Sequence, residues 1–153
     1  MKKLASVLCG LLLASSAWAT DVLPTPNSVV ASAGATAVDG TAGATILAGD
    51  VLYLDTAAGT MKLCDADASA SASVVAGIAL NDAASGQPVR YVTYDPALVI
   101  GFVPTPGAAY FTSENAGNIA DATDSGSYTT VLGVGKSATT IYFKPISAAV
   151  AKP

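Results

Sequence analysis

One pattern is written into this chain twice. Gly49-Asp50-Val51-Leu52-Tyr53-Leu54-Asp55 leads through Ala57-Ala58-Gly59 into Thr60-Met61-Lys62-Leu63. After a polar gap comes Val74-Val75-Ala76-Gly77-Ile78-Ala79-Leu80. The same order returns as Gly107-Ala108-Ala109-Tyr110-Phe111-Thr112, then Gly117-Asn118-Ile119-Ala120, a second polar gap, and Val131-Leu132-Gly133-Val134-Gly135. Tyr53 aligns with Tyr110, Gly59 with Gly117 and Gly77 with Gly133. A repeat defines the structural unit before any single residue is interpreted. Here each unit reads as strand, tight turn, strand, polar loop, strand, over about 45–86 and 104–144.

The segments between and after the copies carry the same signature. Val89, Tyr91 and Thr93 alternate with Pro88, Arg90 and Val92, Pro96 interrupts, and Leu98 to Val103 resumes. Thr139-Thr140-Ile141-Tyr142-Phe143-Lys144 is a strong strand. Gly77, in the middle of an uninterrupted apolar run, marks a bulge or a close backbone approach. No segment after residue 20 shows a capped helical period. The expectation is an all-β fold, a compact barrel or sandwich made from two similar strand-hairpin-strand units. Residues 45–147 form its single domain, and 148–153 read as a loose tail. Residues 20–44, rich in Pro, Ala, Gly and Ser, read as an extended arm holding at most one short strand at Val29-Val30.

Met1-Lys2-Lys3, the apolar run from Leu4 to Ala14, and Ala17-Trp18-Ala19 match a secretory signal segment over 1–19, cut before Thr20. The run is too short for a comfortable membrane span, so no membrane partner is expected of the mature form. Without Lys2 and Lys3, five basic face eleven acidic side chains. That balance argues against a nucleic-acid partner, which needs clustered Lys and Arg. Of the two cysteines, Cys9 lies in the apolar leader, leaving Cys64 as a small buried hydrophobe.

The chain has no His, the residue behind most general acid–base catalysis and many metal sites. Gly133-Val134-Gly135-Lys136-Ser137 resembles the end of a phosphate loop, but Thr130 stands where that motif needs glycine, and a hairpin turn is expected. Asp65 and Asp67, with Asp121 and Asp124, lack calcium-loop spacing and read as solvated loop carboxylates. Tyr53, Tyr91, Tyr94, Tyr110, Tyr128 and Tyr142 suit packing within strands better than a sugar platform. No catalytic residue, cofactor site or metal site is expected, and the chain is not read as an enzyme.

The run Ala48-Gly49-Asp50-Val51-Leu52-Tyr53-Leu54-Asp55, followed by Ala76-Gly77-Ile78-Ala79-Leu80-Asn81-Asp82-Ala83-Ala84-Ser85-Gly86-Gln87-Pro88-Val89, resembles the small capsid decoration (cement) proteins of tailed bacteriophages. In that family a Gly-Asp-x-x-Tyr strand precedes Gly-Ile-Ala-Leu-Asn-Asp-Ala and Gly-x-Pro-Val. The resemblance covers roughly 44–144. It implies a structural virion protein, usually a homotrimer, on the outer capsid surface where major capsid protein subunits meet. The export-like leader carries a different expectation: a periplasmic or cell-surface β protein that self-assembles or binds a ligand such as a glycan.

Overall fold

The computed structural model of the protein describes residues 19–123 and 127–151, so the leader expected over 1–19 lies outside the described residues except for Ala19, and Asp124 lies outside them too. The strands are β1 (Asp21–Val22), β2 (Val29–Val30), β3 (Thr36–Thr41), β4 (Val51–Asp55), β5 (Thr60–Leu63), β6 (Gly77–Ala79), β7 (Pro88–Ile100), β8 (Ala109–Thr112), β9 (Ile119–Ala120), β10 (Tyr128–Gly135) and β11 (Thr140–Ala151). A 3-10 turn, Pro26–Ser28, precedes β2. The fold is all-β, one antiparallel sheet curled into a half-barrel in the order β1-β9-β8-β10-β11-β7-β6-β4-β5, with β2 and β3 also paired to β7.

The repeat is structural, down to individual backbone bonds. Gly49 N–H donates to the Ala79 carbonyl and Gly107 N–H to that of Gly135, both at 2.8 Å. Ala79 N–H returns a bond to Asp50, as Gly135 N–H does to Ala108. Gly49 and Gly107 both hold positive φ, as do Gly59 and Gly117, so the turns demand glycine at matching places. In each copy the first strand is central: β4 lies between β5 and β6, and β8 lies between β9 and β10. The register corrects one alignment. Leu52 stands opposite Gly77 and Tyr110 opposite Gly133, so the counterpart of Tyr110 is Leu52. Side chains alternate faces along a strand, and both residues are buried while Tyr53 is only half-buried.

β7 is one strand of thirteen residues where two were expected around Pro96. A register irregularity opposite Asp95–Leu98 absorbs the proline, which has no N–H to give a ladder. The two halves of β7 serve different copies. Its first half closes copy one against β6, with Ile78 opposite Val92 and Ala79 opposite Tyr91. Its second half flanks copy two, with Leu98 opposite Ile141 and Val99 opposite Thr140. In copy one the place of that second half is taken by β3, with Val38 opposite Tyr91 and Asp39 opposite Arg90.

Residues 20–44 are therefore not an arm with at most one strand. They supply β1 on β9, β2 on the end of β7, and β3 along the start of β7. β3 is mostly exposed, which is why its sequence carries so little apolar signal. Nor is the C-terminal segment a loose tail, because β11 continues to Ala151 along the free flank of β10.

The core has two parts. One gathers Val51, Ile78, Val92, Leu98, Ile100, Leu132, Ile141 and Phe143 from both copies, all but sealed from solvent. The other lies inside copy one, around Ile46, Leu52, Met61 and Val89. A bridge between Ala42 and Met61 brings the end of β3 towards β5 and curls this half round its core. The copies are stitched together at Gly117, whose carbonyl accepts Val51 N–H and whose N–H donates to Cys64, both at 2.8 Å.

The expected close approach at Gly77 is present. A Cβ there would collide with the Val92 carbonyl oxygen, and one at Gly133 with that of Tyr142. Neither neighbour yields, because each is backbone in the adjacent strand. We expect Gly77→Ala and Gly133→Ala each to destabilise by about 1–3 kcal/mol through overpacking. Gly86→Ala, with positive φ but open space around it, tests conformational strain alone and should cost only about 1 kcal/mol. Urea unfolding of the three variants decides it; equal losses would contradict the packing argument.

Candidate functional site

The groups with chemical potential lie apart. Cys64 is buried and free, and its thiol donates to the Ala72 carbonyl at 2.9 Å. Burial pushes that thiol up to about 12, so it stays protonated and unreactive. Gly133–Ser137 is the end of β10 and a hairpin turn, with Lys136 and Ser137 N–H groups both donating to the Thr140 carbonyl. Lys136 Nζ reaches the Pro96 carbonyl at 3.1 Å. Asp65 folds back on its own loop, accepting N–H groups from Asp67 and Ala68. Asp121 instead meets the N-terminal segment. Among the described residues, no three His, Cys, Asp or Glu side chains come together as a metal site.

The tyrosines divide by depth. Tyr110 is buried and its hydroxyl accepts Thr105 N–H at 2.9 Å. Tyr53 and Tyr91 pack against the two core clusters. Tyr94 and Tyr142 meet edge to face on the outside, with centroids 5.8 Å apart and planes at 84°. That geometry suits packing of the two rings on each other.

Two carboxylates that the sequence reading passed over hold the N-terminal segment in place. Asp95, fully buried in β7, accepts bonds from the N–H and hydroxyl of Ser32 and from Ala97 N–H. Asp21 in β1 accepts Ser113 Oγ at 2.5 Å and the side-chain amides of Asn115 and Asn118 at 2.8 Å each. Burial works against the Asp21 charge, but the bonds from Ser113, Asn118 and Asn115 outweigh it and hold the carboxyl below its ordinary range. A third carboxylate behaves oppositely. Asp50 is half-buried at the start of β4, and burial pushes its pKa up. A bond from Leu47 N–H at 2.7 Å pulls the other way, and the charge of Asp82 adds to the rise.

What remains is surface. β11 turns Ile141 and Phe143 inward and sets Tyr142, Lys144 and Ile146 outward. Val134, opposite Tyr142, is exposed as well, and Ile146 is 63 % exposed. Elsewhere Leu54, Val74, Val75 and Ala76, with Thr56 and Ser71, line an open cleft of about 360 Å³. A smaller one lies between Leu23, Pro24, Pro26 and Leu47. Apolar side chains gathered on outer strand faces are suited to meeting another protein surface and have no means of bond-making chemistry. No family model, curated protein or solved structure matches the chain.

The two opposite carboxylates give opposite pH signatures. Asp21 binds its proton more weakly folded than unfolded. Its contribution is present above the unfolded value of roughly 3.9 and is lost as pH falls through the folded one. Asp50 binds its proton more tightly when folded, so its favourable contribution exists at low pH and is lost as pH rises through the folded value. We therefore expect Asp21→Asn to lower the melting temperature at pH 6, with the loss shrinking towards pH 3. Asp50→Asn should gain on the unmodified protein between pH 3 and pH 6. Melting curves that keep fixed offsets across that range would contradict both.

Proposed function

We propose that the chain is a structural, non-enzymatic capsid decoration protein that reinforces a phage head by binding where major capsid protein subunits meet. The observation that carries this reading is the outward stripe of Val134, Tyr142 and Ile146 on β10 and β11, apolar but for Lys144 between the last two, set on a body whose reactive groups do not converge among the described residues. A face of that kind gains by being covered. Charged residues make up only 12 % of the chain, so little charge has to be desolvated when subunits meet. The resemblance over roughly 44–144 points to the same role. We place self-association, as a homotrimer, on the stripe, and contact with the capsid on the Leu54–Val74 cleft.

The runner-up is an exported β protein that assembles at the cell surface or in the periplasm. It draws on the leader-like pattern over 1–19 and on Thr20 bonding the body through Asp121, next to β1.

Ile146→Asp tests the stripe. Because Ile146 already faces solvent, the variant should fold with a melting temperature within about 2 °C of the parent, consistent with a surface change of a few tenths of a kcal/mol. Sedimentation velocity should show the parent as an oligomer and the variant as a monomer. Co-sedimentation with undecorated capsids should retain the parent and hold the monomeric variant more weakly, because it brings one Leu54–Val74 cleft where the trimer brings three. A parent that neither self-associates nor pellets with capsids would contradict the reading.

A further inference from the structure

We propose that cleavage between Ala19 and Thr20 creates a functional amino terminus, and that the new Thr20 ammonium is captured by the Asp121 carboxylate. This locks β1 onto copy two, whatever surface the body later meets.

The motif supplies the position, and the geometry shows what surrounds the nitrogen at that position. Ala17-Trp18-Ala19 gives small residues at the two places a leader-removing peptidase reads, which puts the cut before Thr20. Hydrolysis adds water across that amide, giving a carboxylate on Ala19 and an amine on Thr20 that takes up a proton at neutral pH. In the fold, Thr20 is held to the body through Asp121. Its N–H donates to Asp121 Oδ1 at 3.0 Å, and its carbonyl accepts Asp121 N–H at 3.2 Å. β1 begins at the next residue, with Asp21 opposite Ala120 and Val22 opposite Ile119. The atom that would become the ammonium already touches a carboxylate. Cleavage changes a neutral donor into a charged one without moving it.

The surroundings favour positive charge. Asp21 and Glu114 line the cleft of about 210 Å³ that also includes Ala19, and Asp121 stands beside Thr20. Among the described residues, no Lys or Arg lines that cleft. An ammonium brings three donors to a place where an amide brings one. The triple anchoring of Asp21 fixes the adjacent backbone, so little further ordering is needed for the terminus to stay in place. Thr20 and Asp121 are both exposed, so the pair acts as a clasp at the rim and the gain is modest.

The test begins with the complete chain expressed in a bacterium with an intact secretion system. Intact mass should show loss of residues 1–19, and any other amino terminus overturns the proposal. The α-amine of the recovered protein is then tagged by ¹³C reductive methylation and titrated by NMR, in the parent and in Asp121→Asn. The parent amine should hold its proton about twofold to fivefold more tightly than the variant amine, the range an exposed ion pair supplies. Identical titrations in two folded proteins would overturn the capture. Leader removal requires export, so the cleavage rests on the runner-up reading of an exported protein. The amine titration is read without any capsid or oligomer assay and fails separately from it.

Discussion

The structure depends on a carboxylate with no access to water. Asp95 sits fully buried in the middle of β7, and it is tolerated only because three donors converge on it. Two of them belong to Ser32, which lies between β2 and β3. One residue of the long strand thus fixes the approach of the N-terminal segment. It does so where β7 passes from one copy to the other, next to Pro96, which cannot contribute to a ladder. A buried charge left without partners costs far more than a surface contact gains. The Ser32–Asp95 contact is therefore specific: without it the buried carboxylate keeps Ala97 N–H and loses the two donors of Ser32.

From that point the architecture follows as a duplication with a shared member. Copy one uses β3, β4, β5, β6 and the first half of β7. Copy two uses the second half of β7, then β8, β9, β10 and β11. The edges of the two copies are joined by Gly117 between Val51 and Cys64, and by Thr130 Oγ1 on the Ser73 carbonyl at 2.7 Å. Both copies repeat one tight contact, a glycine pressed against the backbone of the next strand. Two copies joined this way in one curled sheet leave no separable domain boundary.

The sequence made some of this plain and hid the rest, for physical reasons. The repeat, the glycine turns and the close approach at Gly77 were legible because positive φ and backbone crowding both select glycine, which stands out in a sequence. Tyr53 and Tyr110 share an identity but not a strand face, and the register pairs Tyr110 with Leu52. β3 was missed because an exposed edge strand needs no apolar alternation, and Thr36-Ala37-Val38-Asp39-Gly40-Thr41 shows none. Asp95 was missed because it stands before a proline, where a loop was the simpler reading. A lone carboxylate inside an otherwise apolar run was the available signal. Of the carboxylates that did attract attention, Asp65 accepts N–H groups of its own loop and Asp121 accepts Thr20 N–H.

The account's central claim is that β7 joins both copies and the N-terminal segment into a single cooperative body. Native-state amide hydrogen exchange tests it most directly, because it reports the opening free energy strand by strand. The account predicts that the inner amides of β3 and both halves of β7 exchange only through the same global opening as β4 and β10. Amides of β3 exchanging within seconds, or the two halves of β7 opening at clearly different free energies, would contradict it.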